Sequence, residues 1–344
     1  MRRYVSLLAL ITLWPLVSAY VYRCEPGTDP TVCSIWNLEY DAEIVVKHPD
    51  RLPSVNYSST VSTVQLLFER YYHNGRSLLE RYDLTLHGTV LRNPSVVQIR
   101  DYPLRQIVLP PNLTAGDFTD NHISVIETNL NETYEVRYLD LSHNTIRDLA
   151  NFTVLVQLES LNLEGNWITT LQANIFTHMV NLTHLYLGDN RFYSFDLTIL
   201  PKGLNVLWLK RNRLRGLSMT DVLLPRLREL NLESNMLSSL NLALFTAFPA
   251  LEVLPIAYNT FAEEEATRII AELKSRSIAY YIGMERGGIV DCDYDEYRVA
   301  DVCFAPSGYS DWSIWVGIVL ILLAVLVVGM FVLSVRWVWK QMAY

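Results

Sequence analysis

The chain has 344 residues, 50% of them hydrophobic and 19% charged, with a formal net charge of −8. That acidic surplus gives no basic footprint for nucleic acid. There is no G-x-S-x-G, H-E-x-x-H or P-loop motif, and the histidines are scattered from His48 to His184 without ligand spacing. Neither an enzyme, a cofactor, a metal site nor a small-molecule substrate is therefore expected.

Residues 1–19 carry Arg2 and Arg3, an apolar run from Val5 to Val17 and small residues ending at Ala19, the layout of a secretory signal peptide. Residues 20–112 read as an N-terminal cap with degenerate repeats. Up to about Pro94 this stretch is Tyr-rich and β-leaning, as at Val61 to Phe68, without a clean period. A worn repeat follows at Val97, Ile99, Tyr102, Leu104 and Ile107, and a clearer one at Leu113, Gly116, Phe118, Asn121, Ile123 and Ile126.

From Val136 to Phe261 the pattern LxxLxLxxNxL recurs six times, its asparagines at Asn144, Asn166, Asn190, Asn212, Asn235 and Asn259. The steps between them are 22, 24, 22, 23 and 24 residues, the period of a leucine-rich repeat. Each L-x-L pair has strand spacing, so its leucines face a shared core that only stacked neighbours can bury. The predicted fold is a leucine-rich repeat solenoid over 113–261: a parallel β ribbon with an irregular or short-helical convex side, capped at both ends. The asparagine comes where the chain leaves the strand, and its amide can satisfy backbone groups of its own and adjacent coils.

Residues 262–311 read as a C-terminal cap and acidic juxtamembrane segment. Glu263 to Arg276 has Ala266, Ile269, Ile270 and Leu273 on one side, the pattern of a helix closing the open core. The run Asp291-Cys292-Asp293-Tyr294-Asp295-Glu296 begins like a calcium loop but has Glu296 at the glycine position, so it reads as solvated spacer. Sulfation of Tyr294 and Tyr297 is the functional alternative. Ile314 to Val335 is long and apolar enough to cross a bilayer, with tryptophans at both edges, placing a transmembrane helix at 312–335. Arg336 and Lys340 follow it directly, which puts the tail, 336–344, in the cytoplasm and the ectodomain outside, a single-pass type I plasma-membrane arrangement. A tail of that length holds no signalling domain, so signalling would require a co-receptor.

Cys24, Cys33, Cys292 and Cys303 fall on the oxidising side, and of three connectivities the local pairing is the simplest. Sequons at Asn56, Asn112, Asn131, Asn151 and Asn181 predict a glycosylated surface.

Counting back from each asparagine, the central exposed strand position reads Asp140, Asn162, Tyr186, Trp208, Asn231 and Pro255. Two aromatics on adjacent strands facing the open concave side, with His184, Asp189, Lys210 and Arg211 around them and Tyr138 extending the patch, have the composition of a protein-interface hot spot. Cross-strand pairing that merely stabilises the sheet is the competing account. Two functions suit such a chain: a surface recognition protein that binds a protein ligand or co-receptor through its concave face, and a cell-adhesion or matrix-organising protein. The first should copurify with a signalling partner; the second should aggregate cells.

The signal peptide, the Cys24/Cys33 pair, the repeat length and the run from Ile269 to Tyr281 leading to Cys292 and Cys303 together resemble the transmembrane branch of the leucine-rich immune molecules of mosquitoes. Soluble members of that family bind complement-like proteins and dimerise through a cysteine and a coiled coil. Here Phe304 follows Cys303 where a second cysteine would stand, and the predicted membrane helix occupies the place of the coiled coil. The resemblance implies an innate-immune recognition role at the cell surface.

Overall fold

The computed structural model describes residues 20–69 except 26 and 28, together with 79–280, 292–293 and 296–306. The expected signal peptide, transmembrane helix and tail lie outside the described residues, as do Asp291, Tyr294 and Asp295 of the acidic run. Among the described residues no helix is long and apolar enough to cross a membrane.

The molecule is organised by one nine-stranded parallel ribbon. In chain order its strands are β1 (Val32–Trp36), β2 (Thr63–Leu67), β3 (Val96–Ile99), β4 (Ala115–Asp117), β5 (Tyr138–Asp140), β6 (Ser160–Asn162), β7 (His184–Tyr186), β8 (Val206–Trp208) and β9 (Glu229–Asn231). Each pairs with its sequence neighbour in the ribbon, so the stack is about 38 Å long at roughly 4.8 Å per gap. The middle residue of each short strand points into the core: Leu139 is 3% exposed, and Leu161, Leu185, Leu207 and Leu230 are fully buried. In β4 that position is Gly116. A side chain there would begin 2.6 Å from the Phe118 ring, which fills the space a leucine takes in the other coils.

The predicted asparagine ladder is present. Asn190 Nδ2 donates to the Leu187 and Gly188 carbonyls of its own turn at 3.2 and 2.9 Å and to Leu163 of the preceding coil at 2.8 Å. Its Oδ1 accepts from Ile168 N of that preceding coil at 3.0 Å. Asn144, Asn166, Asn212, Asn235 and Asn259 repeat the arrangement. The residue before each asparagine takes a positive φ, as at His143, Asp189, Arg211, Ser234 and Tyr258. Asn121 ends the series. Its Nδ2 is bonded to Ile99, Phe118 and Thr119 carbonyls, but its buried Oδ1 has no partner, and the coil before it has Tyr102 where an asparagine would stand.

Two findings depart from the sequence expectation. The stretch read as a cap also supplies ribbon, since β1 and β2 join the sheet in register with β3. At the other end, the sixth unit makes single bridges at Val253 instead of a strand, because Pro255 has no N–H to give to the preceding coil. The convex side carries 3-10 turns, such as Ala150–Val154 and Leu197–Ile199, and also short parallel pairs, such as Ser194–Asp196 with Gly216–Ser218.

Both disulfides are local, Cys24–Cys33 and Cys292–Cys303. The C-terminal helix α1 (Glu263–Ser275) buries Ala266, Ile269, Ile270 and Leu273, the side expected. Beyond it, Leu254 N donates to Ala279 O at 2.7 Å, and a hairpin of Tyr297–Val299 with Val302–Phe304 sets Phe304 edge-on to Phe261 at 5.8 Å.

Asn190→Ala removes all four ladder bonds of one coil and leaves buried backbone groups unpaired. The expected loss of unfolding free energy is about 1–3 kcal/mol, read as a lower urea midpoint. An unchanged midpoint would mean the ladder does not hold the coils together.

Candidate functional site

The ribbon's register brings the predicted concave-face column together as Asp140, Asn162, Tyr186, Trp208 and Asn231 on five successive strands. The polar members have a structural task that the sequence pattern alone did not disclose. Asp140 Oδ1 accepts from Ser142 N at 2.9 Å, Asn162 Oδ1 from Glu164 N at 3.0 Å and Asn231 Oδ1 from Glu233 N at 3.0 Å. Each such Asx bond secures the turn off its strand. In β7 and β8 the acceptor is replaced by a ring, so the turn N–H groups of Gly188 and Lys210 go without it. Two adjacent coils thus give up a local stabilising bond to present aromatics.

Those rings are half-buried and stay on the concave side, while Leu185 and Leu207 between them take the core. Tyr186 meets Trp208 edge to face, with centroids 4.9 Å apart and planes at 83°. His184 lies alongside Tyr186 at 6.4 Å, and its Nδ1 is 2.8 Å from Thr183 Oγ1. Trp208 Nε1 donates to Glu229 Oε1 at 2.6 Å. Lys210 Nζ sits 4.7 Å from the Trp208 ring centre and 2.8 Å from Glu164 Oε1. Gly188 makes room for it: a Cβ there would lie 3.0 Å from Lys210 Cγ. Arg211 and Asp189, both at positive φ, pair at 3.7 Å beside the strand ends. Glu164 and Glu229 are thus members of the patch that composition did not single out, although both follow from cross-strand register.

Tyr138 stands apart. It is 52% exposed on the neighbouring column, two strands from His184, and its hydroxyl donates to Glu159 Oε2 at 2.8 Å. A shallow concave cavity of about 270 Å³ runs from Tyr138 past Asp140 and Asn162 to Tyr186 and joins the two parts. A larger cavity, about 780 Å³, is elsewhere, lined by Tyr40, Asp83 and Arg105 in the N-terminal coils. All five sequon asparagines are exposed, and none lies on a ribbon strand. Cys292, Glu296 and Cys303 come together within ligand distance of one another, but the two sulfurs are bonded to each other and are not free to hold a metal.

Burial shapes the site's charges. It raises the carboxyl pKa of Asp189, with Arg211 opposing it and Glu164 adding to it, and it raises that of Glu233 against the bond from Asn231. The Tyr186 hydroxyl is pushed up by burial and then by the nearby Glu229.

Residues 135–192 match the family model described as leucine rich repeat. The chain is 30% identical over 149 residues to the Homo sapiens leucine-rich repeats and immunoglobulin-like domains protein 1, covering 42% of this chain and 14% of that protein. It is 32% identical over 117 residues to Toll-like receptor 9 of Felis catus, covering 31% of this chain and 11% of the receptor. The crystal structure of the leucine-rich repeat domain of APL1B superposes with a TM-score of 0.53 at 19% identity, over 78% of this chain and 84% of that one. Residues 135–192 are thus leucine-rich repeats, and the relatives that the chain partly resembles include a receptor. The chain spans only a small part of the curated relatives it matches, and the solved structure shares its fold.

Because the fold raises the Glu233 carboxyl above its ordinary value, that group contributes most stability below the ordinary carboxylate pKa and loses it as pH rises through the folded pKa. Glu233→Gln is expected to melt above the parent at pH 7, with the difference closing as the pH falls to about 4. A constant difference across that range would show that burial of the charge is not its source.

Proposed function

We propose that this chain is a cell-surface recognition protein of innate immunity that binds a protein ligand or co-receptor through its concave face. The observation that carries the proposal is the pair Tyr186 and Trp208, at 4.9 Å, placed where neighbouring coils keep a turn-securing Asp or Asn. A ring that only stabilised the sheet would have to make good that lost bond. A half-buried Trp with its N–H already oriented by Glu229 and a cation beside its face is the form an interface anchor takes. Lys210, Arg211, Asp189, Glu164 and Glu229 supply mixed charge around it, which sets orientation and partner choice. Tyr138, at the far end of the shallow cavity, is the outer contact of the same surface.

In this proposal the signal peptide at 1–19 and the helix at 312–335 put the repeats outside a plasma membrane in type I orientation, with glycans at the five sequons and signalling through a co-receptor. The two local disulfides fit an oxidising compartment. The partial likeness to Toll-like receptor 9 suits a receptor assignment.

The test is proximity labelling from the extracellular side of cells displaying the full chain. A partner labelled beside the parent should vanish beside Trp208→Ala, whose affinity falls by about 2 kcal/mol, roughly thirtyfold, at unchanged surface level. The same neighbours for both chains would remove the concave-face assignment. A neighbour with a cytoplasmic signalling domain supports the receptor role, and adhesion or matrix proteins alone would replace it.

A further inference from the structure

On the flank of the ribbon, one and three residues past each asparagine, two columns of side chains run from coil to coil. The inner column reads Trp167, Arg191 and Arg213; the outer reads Arg147, Tyr193 and Arg215. Backbone bonds fix the register: Trp167 N to Ile146 O, Arg191 N to Ile168 O, Arg213 N to Phe192 O and Arg215 N to Tyr193 O, each 2.9 to 3.0 Å. All six side chains are exposed. The rings and guanidiniums interlock. Arg147 lies 4.7 Å from the Trp167 ring centre and Arg191 lies 4.8 Å from it, reaching it from the coils on either side. Arg213 lies 5.8 Å from the Tyr193 ring and donates to its hydroxyl at 3.0 Å.

These four arginines lack acidic partners: among the described residues no carboxylate comes within ion-pair distance of Arg147, Arg191, Arg213 or Arg215. Nearby acids are engaged elsewhere. Asp148 and Asp196 accept from Ala150 N and Thr198 N, each at 2.9 Å, and Asp189 pairs with Arg211. Four like charges over three coil steps, roughly 15 Å, repel one another, and they do so on a chain whose net charge is −8. A guanidinium lying over a ring keeps its N–H edge free for a two-point bond to an oxyanion.

We propose that this flank binds a linear sulfated polysaccharide, its sulfates meeting the arginine edges coil by coil. The arrangement argues against the other polyanions. Single-stranded nucleic acid stacks its bases on open aromatic faces, and guanidiniums already occupy the Trp167 ring. A protein interface is built round an apolar centre, whereas Thr145 and Thr169 complete the columns over these coils and the apolar Met236 lies beyond the last arginine, at the edge of the row. A hydrated chain with charges at intervals and no apolar face is what this row of cations complements. The surface adjoins the concave patch through a cavity that Trp167, Arg191 and Arg213 share with Asp189 and Arg211, and Tyr186 and Trp208 do not line it.

The full chain should be retained on immobilised heparin at about 0.15 M salt and released as salt rises. Arg191→Ser with Arg213→Ser should weaken retention about tenfold and flatten its salt dependence. Trp167→Ala, which keeps every charge and removes the ring that aligns two of them, should weaken it severalfold. Arg226→Ser, an exposed arginine off the columns, should change nothing. Circular dichroism identical to the parent's establishes that each variant is folded. The proposal is overturned if the double variant is retained like the parent. It is equally overturned if desulfated heparin is held as firmly, or if single-stranded DNA or polyglutamate displaces the protein as well as soluble heparin does.

Discussion

From Asn121 to Asn259 each coil is tied to the one before it by a single asparagine amide, and most of the repeat region's structure follows from that tie. The side chain gives its two hydrogens to carbonyls of its own turn and of the preceding coil, and takes one hydrogen from that coil's backbone. A turn buried in a solenoid would otherwise leave these groups unpaired, at a cost large beside the stability of one coil. The bonds hold coil spacing and register together, so a strand of three residues suffices. With register fixed, any side chain at one place in the repeat lines up with its counterparts. Columns of chemistry on the concave face and on the flank are a direct consequence.

The central strand position shows where two coils depart from that frame. Asp140, Asn162 and Asn231 fold back to secure their own turns, and the strand needs nothing more of them. Tyr186 and Trp208 break the rule together and side by side, and their ring contact, the Glu229 bond and the Lys210 ammonium hold them in place. Departure from a repeated local solution is a better pointer to a working surface than aromatic character alone.

Much of this was legible from residues. The six asparagines gave register, and register gave the column containing Tyr186 and Trp208 and the buried side of α1. β1 and β2 were not legible as ribbon. The buried positions Cys33, Val64 and Val97 are 31 and 33 residues apart, because helical insertions such as Ala42–Lys47 lengthen the coils on the far side. An insertion there leaves the ladder untouched while erasing the sequence period. Tyr102 in the asparagine position wears down the motif of the next coil, which stays readable from Val97, Ile99, Leu104 and Ile107 and pairs as β3. The end of the ribbon at Asn231 was legible in principle, since Pro255 cannot donate to its neighbour. The arginine flank was not singled out, because its residues fall between motif positions and become neighbours only when coils are stacked.

The closure beyond Asn231 has a bearing on how copies of this chain can meet. A sheet edge with unspent donors is a template on which another molecule can polymerise. Here Pro255 withholds one donor, Ala279 takes the bond from Leu254, and the hairpin behind Cys303 supplies the acceptor for Tyr258 and the donor for Asn259. That terminus is blunted against end-to-end fibre growth. Crowded on a surface, such molecules are left to associate sideways, through side chains that selection can tune, instead of through backbone that it cannot.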